Sequence, residues 1–232
     1  MTLFNWTYNE LQQIGVDFTS QAEVKAYDAK QGSNSPEACR DLLAYLGVDS
    51  SHSFLEFGTA TGNLTIEAAK RCQHAYGVDV SEPMLTYAQA KAEKLGVDNA
   101  TFIHAGFLSY KHAAPPVDLV VTKFALHHLP DFWKVKALLN IADALKVGGR
   151  LYLEDVIFSF EPHMVQQEIE AWIDNVTKYS GFTREEFETH VRDEYSTYTW
   201  LLEKMLEQAK FIIVEKEYKS PTYASYMCER EN

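Results

Sequence analysis

The period of hydrophobic and polar positions changes several times along this chain, and the changes mark out its elements. The first fifty residues carry helical rather than strand patterning. Ser20-Gln21-Ala22-Glu23 has the form of a capping box for a short helix holding Val24, Tyr27 and Ala29. Gly32-Ser33-Asn34-Ser35-Pro36 interrupts it. Pro36 suits the first turn of a second helix, with Leu42, Leu43 and Leu46 on one face, and Gly47 ends that helix. Short apolar runs then alternate with helical stretches. Strands are predicted at 54–57, 76–79, 100–104, 117–123 and 151–158, with helices at 63–71, 82–95 and 132–145. The run from Val117 to Lys123 is almost continuously apolar, as a strand buried on both faces should be. Strict alternation of strand and helix predicts a parallel sheet with helices on both faces.

The last third is plainer. Residues 161–179 place Val165, Ile169, Trp172, Ile173 and Val176 on one helical face. Thr183-Arg184-Glu185-Glu186 is a second capping box, opening a helical segment to Ala209 that breaks near Tyr195. Residues 211–214 and 223–228 read as two final strands, giving a seven-stranded sheet with an antiparallel end.

Charge narrows the function. Lys and Arg number 21 against 33 Asp and Glu, a net charge of −12 over 232 residues. Such a surface repels phosphate backbones, so no nucleic-acid partner is expected. Three widely spaced cysteines, Cys39, Cys72 and Cys228, form neither a disulfide framework nor a metal motif. The start, Met1-Thr2-Leu3-Phe4-Asn5-Trp6, offers neither a basic stretch nor a long apolar one, and no run has the length of a membrane span. The expectation is a soluble cytoplasmic protein.

The chemistry is concentrated where the first strand ends. Phe54-Leu55-Glu56-Phe57-Gly58-Thr59-Ala60-Thr61-Gly62 turns from strand to helix through glycines, a form that presents backbone N–H groups to a ligand. The second strand closes on Asp79, where a carboxylate can accept both hydroxyls of a ribose. A dinucleotide fingerprint needs its middle glycine for a pyrophosphate, but Ala60 stands there. Glu56 nearby would repel a pyrophosphate, whereas it suits a sulfonium cofactor with a cationic amino-acid tail.

The arrangement resembles motif I of the class I S-adenosylmethionine-dependent methyltransferases. Two further pieces are similar to that family: Leu126-His127-His128-Leu129-Pro130-Asp131 after the fourth strand, and Leu145-Lys146-Val147-Gly148-Gly149-Arg150-Leu151 before the fifth. The likeness covers roughly residues 53–158 and is to small bacterial enzymes of the methyltransferase-11 type. It implies one domain with a Rossmann-like, doubly wound seven-stranded α/β sheet, mostly parallel with an antiparallel C-terminal strand. Residues 1–50 would form a helical lid, 51–158 the cofactor-binding core, 159–182 a helical insertion over the cleft, and 183–232 the last helices and strands.

The resemblance also implies site residues. Glu56, Gly58, Thr59, Ala60 and Gly62 would hold the methionine end of S-adenosylmethionine (as product, S-adenosylhomocysteine). Asp79 would take the ribose, with Val80 beside it and Met84 near the adenine. Gly106 and Phe107 would border the adenine, because Ala105-Gly106-Phe107-Leu108 lacks the acid that many relatives place there. Lys123 and Phe124 would line the floor near the sulfur, and Tyr27, next to Asp28, would belong to the lid. Histidine titrates near neutrality without tuning, so His127 is the candidate general base facing the cleft, with His128 holding the turn. The other histidines are scattered, and no metal site is expected. Phe158, Phe160, Trp172, Tyr179, Tyr195, Tyr198 and Trp200 suggest a small, partly apolar acceptor. A cofactor-binding protein without catalysis fits the same motifs. A nicotinamide-dependent oxidoreductase also uses such a turn, but leaves Glu56 and the His-His-Leu-Pro turn unexplained.

Overall fold

The computed structural model describes residues 6–12, 21–30, 34–179 and 183–232. Its centre is a sheet whose strands are β1 (Ser53–Phe57), β2 (His74–Asp79), β3 (Ala100–His104), β4 (Val117–Lys123), β5 (Leu145–Phe158), β7 (Phe211–Ser220) and β8 (Tyr223–Arg230), in the order β3-β2-β1-β4-β5-β8-β7. β6 (Thr197–Tyr198) adds two residues, parallel to the end of β5. The first five strands pair in parallel, and β8 runs antiparallel to both β5 and β7. The expected architecture is present, with the small strand β6 in addition.

Period-two alternation in the central strands feeds two layers. Leu55, Phe57 and Val120 face a core shared with α5 (Asp131–Ala144) and α8 (Thr199–Gln208), through Ala137, Leu138, Ile141, Leu202 and Leu206. Phe54, Leu119 and Val121 face the opposite layer, against α2 (Pro36–Tyr45) and α3 (Asn63–Ala69), through Cys39, Leu43, Leu46, Leu64 and Ala68. Emptying one such site, as in Leu43→Ala, costs about 2–5 kcal/mol in a packed core.

Local chemistry sets several helix starts. Ser35 caps α2 by accepting from Ala38 N–H, and Ser81 caps α4 (Glu82–Lys94) by accepting from Met84 N–H. Thr183 and Glu186 complete the predicted capping box of α7 (Arg184–Asp193). Ser20, proposed as the cap of α1 (Gln21–Lys30), lies outside the described residues. α6 (Val165–Tyr179) presents Trp172 and Ile173 inward.

Two expectations need correction. Residues 6–12 form turns, not helix, and they reach across to the loop after β3. The glycine turn at 146–150 does not precede β5 but lies within it as an irregularity, since Val117 pairs with Leu145 and Leu119 with Arg150.

The order β3-β2-β1-β4 reverses the direction of travel between β1 and β4. A crevice opens at the carboxyl ends of strands flanking such a switch point. The candidate site lies there.

Candidate active site

The loop from β1 to α3 is built around its own hydrogen bonds. Gly58 and Thr59 N–H groups both donate to Val78 O, at 2.9 and 3.1 Å, and Gly62 N–H donates to Thr59 O at 2.8 Å. Ala60 N–H donates to Asp79 Oδ2 at 2.8 Å. These N–H groups are therefore consumed inside the protein and not offered to a phosphate. Gly58 (φ +75°) is obligatory, because a Cβ there would lie 2.4 Å from the Ala125 Cβ. Ala60 (φ 46°) and Phe124 (φ 50°) hold left-handed conformations without being glycine. Such strain concentrates at functional sites.

Glu56 does not reach the crevice. It is buried beneath the loop, where its Oε2 accepts from Thr59 Oγ1 at 2.9 Å and Thr65 Oγ1 at 2.6 Å. Burial raises its pKa to about 7 against the pull of these bonds. Asp79 has a double role: its Oδ1 accepts from Ser81 N–H at 2.8 Å while Oδ2 holds Ala60, and its edge still faces the cavity. Burial raises its pKa as well.

Around these groups lies a cavity of about 320 Å³, within the range of small-molecule sites. Of the residues proposed from sequence, Tyr27, Gly58, Ala60, Asp79, Val80, Met84, Gly106, Phe107, Phe124 and His127 line it. Glu56, Thr59, Gly62 and Lys123 do not. Thr59 and Gly62 shape the loop from behind, and Lys123 turns away, 3.8 Å from Glu154 Oε2 and 3.3 Å from Asn34 Oδ1. Phe107 stacks on Phe57, with ring centroids 5.0 Å apart. The seven aromatic residues expected at the acceptor side line none of it. Phe158, Phe160, Tyr198 and Trp200 pack on one another, and Trp172 packs on Phe187, His190 and Tyr223.

Several lining residues gave little signal in the sequence. Glu10 crosses from the N-terminal turns to accept from Leu108 N–H at 2.8 Å and Ser109 N–H at 2.7 Å, so an acid reaches the loop after β3 from elsewhere. Tyr8 donates to His128 O at 3.2 Å. His190 and Glu194 come from α7 and the residue after it; their i,i+4 spacing was the one available clue.

Both histidines of the turn line the cavity, but in different surroundings. His127 is buried, with Nδ1 2.5 Å from Asp155 Oδ1 and Nε2 3.2 Å from Glu194 Oε2. Burial alone would lower its pKa, but Asp155 and then Glu194 override this and raise it to about 9. An imidazole held between two carboxylates is not a free base. His128 is the exposed one, its ring open to the cavity, and no hydrogen bond engages its ring nitrogens among the described residues. The surrounding wall and then the His127 charge push its pKa down. Nor is His190 apart from this pair: ring centroids of His127 lie 4.3 Å from His128 and 4.9 Å from His190.

Residues 54–149 match the family described as a methyltransferase domain. An uncharacterized methyltransferase from Geobacillus thermodenitrificans is 35% identical over 130 residues, 56% of this chain and 58% of its own. The uncharacterized methyltransferase YrrT from Halobacillus halophilus is 27% identical over 88% of this chain and 93% of its own. The chain spans little more than half the length of the Geobacillus relatives it matches (54, 58 and 53%). A SAM-dependent methyltransferase from Aquifex aeolicus shares the fold, with a TM-score of 0.63 at 18% identity over 90% of this chain and 98% of that one. The chain is thus similar to methyltransferases in sequence over residues 54–149, and it shares the fold of S-adenosylmethionine-dependent methyltransferases over most of its length.

Proposed function

We propose that this chain binds S-adenosylmethionine against the glycine loop and transfers its methyl group to a small-molecule acceptor. The observation that carries this reading is a single cavity, lined at one side by Gly58, Ala60, Asp79 and Met84 and at another by His128. Bound S-adenosylmethionine supplies an electrophilic methyl group on a cationic sulfur. The C–S bond breaks as the acceptor's bond to carbon forms, the electron pair stays on sulfur, and S-adenosylhomocysteine remains.

The protein's own task is alignment. Asp79 faces the cavity with lone pairs left over for hydroxyls, and Gly58 lets a ligand approach the backbone. Gly58, Thr59, Ala60 and Gly62 spend their N–H groups internally, which disfavours a pyrophosphate and hence a nicotinamide cofactor. An acceptor O–H or N–H must also lose its proton, and His128, a neutral imidazole on the cavity wall with no ring hydrogen bond among the described residues, is the group placed to accept it.

Calorimetry with S-adenosylhomocysteine and NADH tests the first half. The expected result is affinity at least tenfold higher for S-adenosylhomocysteine; tighter NADH binding would overturn the cofactor. A screen of small metabolites for methyl transfer then supplies an acceptor for His128→Asn. That variant should keep its S-adenosylhomocysteine affinity while turnover falls about a hundredfold. Unchanged turnover would remove His128 from the chemistry.

A further inference from the structure

The far wall of the cavity carries an arrangement that methyl transfer does not explain. His127, His190 and Glu194 each point one ligand atom inward, and these atoms lie within 4.8 Å of one another. Each imidazole is gripped from behind through its other nitrogen. Asp155 Oδ1 lies 2.5 Å from His127 Nδ1, and Ser196 Oγ lies 2.9 Å from His190 Nε2. With Nδ1–H and Nε2–H donating outward, the lone pairs of His127 Nε2 and His190 Nδ1 face the centre. Second-shell partners of this kind fix the tautomer and orientation of metal-binding histidines.

Glu194 supplies an independent observation. Its Oε2 is buried, 3.2 Å from His127 Nε2 and in close contact with His190 Nδ1, yet it accepts a well-directed hydrogen bond from neither. A buried carboxylate oxygen left so is costly.

We propose that His127 Nε2, His190 Nδ1 and Glu194 bind a divalent first-row metal ion, with zinc the best match to two imidazoles and a carboxylate. Three protein ligands on the wall of a cavity leave a position open to it, the pattern of catalytic rather than structural zinc. The open position takes water or an oxygen or nitrogen of whatever occupies the cavity. Ligation needs unprotonated imidazoles, so zinc binding weakens at low pH. The metal site does not rest on the methyl-transfer reading.

The test uses the untagged full chain, dialysed against zinc and assayed for bound metal by mass spectrometry, with cobalt(II) as a spectroscopic substitute. One zinc per chain is expected, with a cobalt spectrum of nitrogen and oxygen ligation and no thiolate charge-transfer band. His190→Ala and Glu194→Gln should each weaken zinc binding tenfold or more, with folding checked by circular dichroism. Where either variant fails to fold, Ser196→Ala serves instead and should weaken binding about tenfold by freeing the His190 ring. Absence of stoichiometric zinc in the wild type, wild-type affinity in the folded variants, or a thiolate band would each overturn the proposal.

Discussion

At the scale of single residues, Glu56 and Asp79 show how a motif letter can carry more than its motif role. Glu56 reads from sequence as a partner for a cationic ligand tail, yet it lies beneath the loop, bonded to Thr59 and Thr65. Its pKa, raised from 4.5 to about 7, means that the folded state keeps a proton the unfolded chain releases between those values. The Glu56 contribution to stability is therefore fully present below pH 4.5 and is lost as pH rises toward 7, by a total on the order of 3 kcal/mol. Glu56→Gln keeps an acceptor for both hydroxyls and cannot ionise. Urea unfolding at pH 5 to 8 should show a smaller decline for this variant than for wild type, and parallel profiles would mean that Glu56 is ionised throughout. On the proposed reading, Asp79 serves ligand and fold together. Asp79→Ala should lose about 1.5–3 kcal/mol of S-adenosylhomocysteine binding. It should also lower stability by about 1–3 kcal/mol, because Ala60 and Ser81 lose their acceptor. Calorimetry and thermal melting read the two effects separately, and a variant weakened in binding alone would make the backbone bonds dispensable.

At the scale of elements, what could be read from the sequence was whatever has a local cause. The β1 loop, the Pro36 and Thr183 helix starts and the alternating strands all follow from glycine conformation, capping chemistry and period. Partners distant in sequence were invisible: Glu10 beneath Leu108, Ser196 behind His190, and the two carboxylates around His127 meet only once the sheet is assembled. Adjacency likewise says nothing about which of His127 and His128 meets Asp155. Helix α1 shows the same dependence on distant partners. Asp28 accepts from Thr61 Oγ1 at 2.6 Å, Lys91 Nζ at 2.8 Å and Tyr87 Oη at 3.2 Å, tying α1 to both the glycine loop and α4. Burial opposes ionisation of Asp28, but Lys91 and Thr61 outweigh it and hold its pKa below the usual carboxylate value. This anchor is present above about pH 4 and is lost as pH falls through the lowered value. Asp28→Ala should mimic that loss at neutral pH. Trypsin cleavage after Lys25 should quicken, and S-adenosylhomocysteine affinity should drop, because the neighbouring Tyr27 lines the cavity. Unaltered cleavage and affinity would show that α1 is held by packing alone.

At the scale of the whole molecule, the charge decides which acceptors can approach. A net charge of −12 gives the molecule an overall field that repels polyanions. The arginines of α7, the most obvious local exception, are already committed. Arg184 pairs with Glu170, Asp174 and Glu188, and Arg192 pairs with Asp193. Exposed pairs of this kind contribute little stability, but they leave α7 without a bare cationic strip for a phosphate backbone. A protein that gains affinity by releasing counterions from nucleic acid must neutralise several phosphates at once, and the charge distribution here opposes that. Binding to mixed tRNA should therefore be weaker than roughly 100 µM at physiological salt. It should not strengthen steeply as salt is lowered. Mobility-shift titrations at two salt concentrations check this directly. Micromolar, salt-sensitive retention would place the acceptor on an RNA and turn the cavity from a whole-substrate pocket into a site for one extruded base.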